Sequence, residues 1–228
     1  MIEDAPLITL RRPARRPSTA QIAALTGVPT GFAVDALGGR GALAAAIKPV
    51  VAEQAVICGV ALTCEAGPAD NLALFAALPC LQPGDVLVAA TDGFREAAVT
   101  GDLLLGMARN RGAVGFVTDG AVRDVAGIRA LGLPCFAASV TPNSPARNGP
   151  GRVGLPVILA GTLVASGDIV LSDPDGVVVV PFEEIDAVIA RLDAVRAAEA
   201  ALDAAVKAGL GLPDFVAKTL AGRVREVE

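Results

Sequence analysis

The sequence predicts a layered α/β sandwich with mixed sheets, on a chain whose 228 residues suffice to bury one full core. Three observations carry that expectation. Apolar residues make up 53% of the chain, mostly Ala, Val and Leu among abundant Gly, as close-packed α/β layers require. The centre alternates apolar strand-like runs with amphipathic helical stretches. Residues 153–180 are strand-rich and broken by tight turns, which favours mixed sheets over a doubly wound parallel sheet. The whole of 1–228 is expected to form a single domain.

Taken in order, residues 1–17 read as an arm. Its basic cluster, Arg11-Arg12-Pro13-Ala14-Arg15-Arg16, is expected to be solvated or to touch another subunit. Ser18 to Leu25 and Gly31 to Leu37 read as short helices, the first capped by Ser18 and the second ended by Gly38-Gly39. Val56 to Leu62 is apolar nearly throughout and reads as a strand buried on both faces. Asp70 to Leu78 is helical up to Pro79, and Pro83-Gly84-Asp85 is a turn feeding a strand over Val86 to Ala90. Asp102 to Arg111 is an amphipathic helix, Ala113 to Val117 a buried strand, Val125 to Leu131 a short helix, and Cys135 to Ala138 a further strand.

The run Gly84-Asp85-Val86-Leu87-Val88 is echoed by Gly167-Asp168-Ile169-Val170-Leu171. Nothing else matches at a fixed period, so this is reused strand–turn geometry and not a repeat array. Val177 to Val180 is a strand closed by Pro181. The segment 183–208 is one long helix, from Glu183 to about Lys207. Its apolar seam is Ile185, Val188, Ile189, Leu192, Val195, Leu202 and Val206. Glu199 falls at the centre of that seam. A buried carboxylate there needs a partner, so a salt bridge, local exposure or a ligand role all fit the position.

The missing amino acids narrow the chemistry. With no His, Tyr or Trp, His-rich zinc sites, Ser–His–Asp triads and Cys–His pairs are impossible. Lys48, Lys207 and Lys218 are the only lysines; Lys48 precedes Pro49 and the other two lie in or after the polar-flanked C-terminal helix, so none is placed for a Schiff base. Cys58, Cys64, Cys80 and Cys135 lack C-x-x-C spacing and read as reduced core residues. A net charge of −5 argues against a nucleic-acid surface. No apolar stretch is long enough to span a bilayer, and the N-terminus lacks the pattern of a signal peptide. A cytoplasmic location is expected.

Chemistry concentrates at Asp102 and, twenty residues on, Arg123-Asp124. Two acids and a guanidinium, each behind a glycine-bearing turn, can hold a hard divalent cation beside a small anion. Asp102 either caps a helix starting at Leu103 or serves a ligand, and Asp124 either caps the helix at Val125 or does the same. Arg123 lies between Val122 and Asp124, on no obvious solvent face. Helix N–H groups, a guanidinium and a cation together meet the needs of a 2-keto acid. Gly38-Gly39-Arg40-Gly41 follows a helix and is no dinucleotide loop, which also counts against a methyltransferase.

The runs Gly101-Asp102-Leu103-Leu104, Gly120-Ala121-Val122-Arg123-Asp124 and Gly167-Asp168 through Pro181 resemble the 4-hydroxy-4-methyl-2-oxoglutarate/4-carboxy-4-hydroxy-2-oxoadipate aldolases. These are class II pyruvate aldolases grouped with the ribonuclease E activity regulators. The resemblance implies an α/β/β/α sandwich like the swivelling phosphohistidine domain, assembled as a homotrimer or hexamer. It implies Mg²⁺ or Mn²⁺ held directly by Asp124, and through water by Asp102 and by Glu199 of a neighbouring subunit. Leu103 and Leu104 amides would take the pyruvyl carboxylate, Arg123 would stabilise the enolate oxygen, and Asn71 would be a polar pocket residue. Arg147 stands where relatives carry lysine near the distal carboxylate, and a planar fork replaces a point charge there. Oxaloacetate decarboxylation is the implied side activity. A non-enzymatic regulator of a ribonuclease is the rival reading, and the regulators' pattern lacks the aspartate after the arginine.

Overall fold

The structure, a computed structural model, describes residues 6–227. Its elements begin with β1 (Ile8–Leu10), α1 (Thr19–Leu25), α2 (Thr30–Ala36), β2 (Lys48–Pro49), β3 (Ile57–Ala66) and α3 (Leu72–Ala77). Next come β4 (Asp85–Ala90), β5 (Ala98–Thr100), α4 (Asp102–Asn110), β6 (Gly115–Thr118), β7 (Ala121–Val122) and α5 (Val125–Leu131). β8 (Cys135–Ala137), β9 (Ser139–Val140), β10 (Gly151–Val153), β11 (Val157–Leu159) and β12 (Thr162–Val164) follow. The chain ends with β13 (Ile169–Asp173), β14 (Gly176–Val180), α6 (Ile185–Lys207) and α7 (Asp214–Leu220).

The architecture is mixed α/β with several sheets and a long C-terminal helix. The main sheet runs β1-β10-β3-β4-β6-β8-β2, with the β13–β14 hairpin also joined to β3. β3, β4, β6 and β8 are parallel neighbours, whereas β10, β13 and β2 pair antiparallel. β3 is longer than the sequence suggested because one of its edges serves two partners in turn. Ile57 to Val60 pair with β13, and Cys64 to Ala66 pair with β10.

Three apolar cores follow from strand alternation, since successive residues face opposite sides. Leu62, Leu87 and Phe116 pack on one face of the main sheet with Leu74, Leu105 and Ile128 of α3, α4 and α5. Val86, Val88 and Val117 point the other way, towards Val157, Val170 and Val179. Leu171 and Val178, on the opposite face of the hairpin, meet Leu25, Ala33 and Val188 of α1, α2 and α6.

Two expectations are corrected here. The arm's basic cluster is not simply solvated. Within it, β1 pairs with β10, and the carboxylates of Asp85 and Asp168 receive Arg16 and Arg15 respectively. These aspartates are the two members of the sequence echo, and each turn repeats the other. Gly84 and Gly167 both have positive φ, 87° and 101°. Asp85 accepts the Gln82 amide and Asp168 the Ala165 amide, each at 2.8 Å. Residues 1–5 of the arm lie outside the described residues.

The seam of the long helix also departs from expectation. Ile185, Val188 and Leu192 are buried, but Leu202 and Val206 are 41% and 56% exposed. α6 outruns α1 and α2, so among the described residues its later turns have no layer beneath them. Glu199 is consequently exposed, as one of the readings open to it in the sequence has it. No helix among the described residues is long and apolar enough to cross a membrane.

Candidate functional site

The twenty-residue gap between Asp102 and Arg123 closes through strand pairing. β5 and β7 are parallel neighbours, with Thr100 opposite Val122, and the Arg123 amide donates to the Thr100 carbonyl at 3.0 Å. Each strand runs directly into a helix, β5 into α4 and β7 into α5. The two helix N-termini therefore open at the same carboxyl edge of a small parallel sheet, where α/β proteins commonly bind ligands.

Gly101 is the N-cap of α4, and Asp102 is its first helical residue, which corrects the expectation that Asp102 caps. No side chain caps the helix, and Leu105 is the first residue whose amide bonds back, to Gly101 O at 3.2 Å. The Leu103 and Leu104 amides thus lack intrahelical acceptors and carry the positive end of the helix dipole. Asp124 is the N-cap of α5, yet its side chain makes no capping bond. It sits in the left-handed region, φ 60° and ψ 44°, which costs an L-residue about 1–2 kcal/mol.

Each carboxylate packs against a glycine of the other unit. A Cβ at Gly101 would overlap Asp124 Oδ2 and lie 3.1 Å from Arg123 Cγ. One at Gly127 would lie 2.6 Å from Asp102 Cγ. Arg123 Nε donates to Asp124 Oδ2 at 3.1 Å and its Nη1 to Ser144 Oγ. Ser144 carries no sequence signal, since it sits in an irregular Pro- and Asn-bearing loop.

A pocket of 230 Å³ opens here. Leu103, Leu104, Arg123, Asp124, Asn71 and Arg147 all line it, with Gly101, Phe75, Met107 and Pro145. Asp102 lies beside the pocket, against Gly127, and Glu199 does not line it. Asn71 is 4% exposed, and its side-chain oxygen has no hydrogen-bond partner among the described residues. Leaving a buried polar group unpaired costs about 1–3 kcal/mol, so an oxygen left open in a pocket wall suits a polar ligand or water. Asp70, which sequence reasoning passed over, fastens the two walls of the Arg147 side together. Its carboxylate accepts the amides of Leu72, Asn148 and Gly149.

Among the described residues no group of three or more His, Cys, Asp or Glu side chains forms a cation cage. The side-chain oxygen donors that line the pocket include the Asp124 carboxylate and the Asn71 amide oxygen. Mg²⁺ keeps most of its water and needs only one or two carboxylates, so the chemistry of an oxygen donor such as Asp124 in the pocket wall suits a hydrated hard cation and not a soft one. Burial pushes the Cys64 and Cys135 thiols far up, which removes them as thiolate ligands.

Residues 22–179 match the RraA-like family, described as Aldolase/RraA. The chain belongs to that family. Within it, a protein of Halalkalibacterium halodurans named "Putative 4-hydroxy-4-methyl-2-oxoglutarate aldolase" is 38% identical over 154 residues, 68% of this chain and 73% of that one. The solved structure of Streptomyces coelicolor RraAS2, described as an unusual member of the RNase ES inhibitor RraA family, has a TM-score of 0.72 at 29% identity. It covers 84% of this chain and 99% of its own. The RNA-processing inhibitor RraA from Thermus thermophilus gives a TM-score of 0.62 at 28% identity, over 68% and 94% of the two chains. Aldolase/RraA membership thus joins an enzyme name and a regulator name on one fold.

Proposed function

We propose that this Aldolase/RraA protein is a divalent-metal-dependent pyruvate aldolase. It cleaves a 4-hydroxy-4-substituted 2-oxo dicarboxylate or tricarboxylate into pyruvate and a second 2-keto acid. One observation carries the reading: α4's unpaired N-terminal amides, the Arg123 guanidinium and the Asp124 carboxylate open into one pocket, with Asp102 at its edge.

The Leu103 and Leu104 amides would hold the substrate's C1 carboxylate, as helix N-termini hold anions generally. Arg123, oriented by Asp124 and Ser144, would face the 2-keto oxygen and stabilise the negative charge that grows there. Cleavage breaks the C3–C4 bond and leaves its electron pair on the pyruvyl half as enolate. The C4 hydroxyl loses its proton and becomes the carbonyl of the second product. A water oriented by Asp102 would accept that proton and return it to C3, completing pyruvate. Asn71 would meet a polar group of the substrate, and Arg147 its distal carboxylate.

Asp124 would hold Mg²⁺ or Mn²⁺ directly, with Asp102 and Glu199 of a neighbouring copy acting through water. When bound, such a cation supplies Lewis-acid stabilisation of the keto oxygen's developing charge. Exposure of Glu199 and of the later α6 turns suits a role at another copy's site. In this reading 1–228 is one domain with the layering of the swivelling phosphohistidine domains. It works in the cytoplasm as a homotrimer or hexamer, on small keto acids and without nucleic acid or membrane. Oxaloacetate decarboxylation passes through the same enolate, with CO₂ leaving in place of the second keto acid.

The test is pyruvate release from 4-hydroxy-4-methyl-2-oxoglutarate and from oxaloacetate, with Mg²⁺ and with EDTA. Turnover of both that stops on chelation is expected, and turnover that survives it refutes the metal requirement. The names of the Streptomyces and Thermus relatives favour a second reading, a non-enzymatic regulator of a ribonuclease. A stoichiometric nuclease in a pull-down, with no pyruvate release, would select it.

A further inference from the structure

We propose that Phe75 is a positioning residue for specificity. Its ring holds Arg147 so that the pocket selects 2-oxo acids carrying a second carboxylate at the far end. This deepens the aldolase reading and rests on it for the placing of the keto-acid head.

The two walls of the pocket come from different parts of the fold. Arg123 belongs to the wall built by β5, β7 and the start of α4. Arg147 belongs to the wall built by α3 and the segment after Pro145. The backbone on either side of Arg147 is pinned. The Ala146 amide donates to the Ala69 carbonyl at 2.7 Å, the Asn71 amide donates to the Ala146 carbonyl at 3.0 Å, and Asp70 takes the Asn148 amide.

The side chain itself is held differently. Among the described residues, Arg147 enters no ion pair with a carboxylate. Its guanidinium carbon lies 5.4 Å from the centroid of the Phe75 ring, within cation–π range. A guanidinium lying over a ring face keeps its in-plane N–H donors available, and those donors match a carboxylate bidentately. Leu104, Met107 and Pro145 line the same pocket without acceptor side chains, and of its acceptors Asp124 is engaged by Arg123 while the Asn71 oxygen takes no hydrogen bond from Arg147. Phe75 also sits one helical turn after Asn71, so both reach the pocket from the same face of α3. A flexible arginine would lose much side-chain entropy on gripping an anion, and the ring removes part of that loss in advance.

The experiment is calorimetric binding, in Mg²⁺, of 2-oxoglutarate and of 2-oxopentanoate, which has the same chain length without the second carboxylate. The wild-type protein is expected to prefer 2-oxoglutarate about tenfold or more, and Arg147→Met to erase the preference. Phe75→Leu should cut the preference about three- to tenfold by weakening 2-oxoglutarate alone, and Phe75→Tyr, which keeps the ring face, should restore it. Equal weakening of both ligands by Phe75→Leu would mean mere packing and overturn the proposal. So would a wild-type protein that binds both alike or binds neither. Pyruvate release assayed separately keeps the two ideas apart. Discrimination without turnover defeats the aldolase reading alone, and turnover without discrimination defeats this one alone.

Discussion

Asp102 rests against Gly127, in the first turn of the neighbouring helix α5, and the fit leaves no room for a side chain. A Cβ at Gly127 would come within 2.6 Å of Asp102 Cγ. Gly127→Ala should raise helix propensity by about 1 kcal/mol while pushing the carboxylate out of place. Catalysis is the more sensitive of the two, since a 1 Å misplacement commonly costs about 100-fold in rate. Pyruvate release should therefore fall by about that factor, with a melting temperature changed by only a few degrees. Near-normal turnover would show that Asp102's position is not critical.

Gly101 makes the reciprocal test. Its φ and ψ, −142° and −169°, are extended values that any residue adopts, so only space forbids a side chain. A methyl there meets Asp124 Oδ2 and Arg123 Cγ. Gly101→Ala should impair turnover about as much as Gly127→Ala, again with the fold retained. Circular dichroism and steady-state kinetics on the pair would separate the two carboxylates' contributions. Unchanged kinetics in Gly101→Ala would mean that Arg123 and Asp124 tolerate displacement and do not form a preorganised site.

Asp124 combines a functional carboxylate with an unfavourable backbone. Its left-handed φ of 60° is strain that glycine would not feel. Asp124→Gly relieves it, but adds unfolded-state freedom and removes a partly exposed ion pair with Arg123 worth about 0–1 kcal/mol. The net stability change should lie within about 1 kcal/mol of zero, measured by denaturant unfolding. Metal-dependent pyruvate release should be lost. A drop in stability of several kcal/mol would assign Asp124 to the fold and not to the site.

How far the sequence revealed this arrangement depended on element length. β3, β4, β6, α4 and α5 stand out because runs of apolar residues end at Gly or Pro. β5, β7 and β9 hold two or three residues each, too few for periodicity, and exist only because they pair with one another. Yet these strands join Asp102 to Arg123-Asp124. The site was legible instead through its turn chemistry, an acid or Arg–Asp pair behind a glycine turn. Phe75 and Asp70 were hidden inside a helix pattern, because nothing local distinguishes a ring under an arginine from a ring in a core. The α6 seam misled for the converse reason. Periodicity defines a stripe, and only tertiary packing decides where that stripe stops being covered.

The paired turns of Asp85 and Asp168 make a pH prediction whose sign can be worked out. Burial is the largest influence on each and raises both carboxyls above the ordinary aspartate value, although backbone amides and the arm arginines pull them back down. An acid whose value is raised by folding keeps its proton in the native state after the unfolded chain has released it. Stability from that group therefore falls as pH climbs from the ordinary aspartate range through the raised value, with a slope of at most about 1.4 kcal/mol per pH unit. Asp85→Asn cannot titrate and so lacks this slope. It should gain ground on the wild-type protein as pH rises across that window, when both are unfolded with urea at a series of pH values. The arm adds a second reading of the same experiment. Arg16 donates to Asp85 and to the Pro83 carbonyl, so Arg16→Met should leave the Asp85 carboxyl higher still and extend the falling limb to higher pH without moving its onset. A variant-to-wild-type difference that stays flat, or that runs the other way, would mean that the arm's charge and not burial governs the turn.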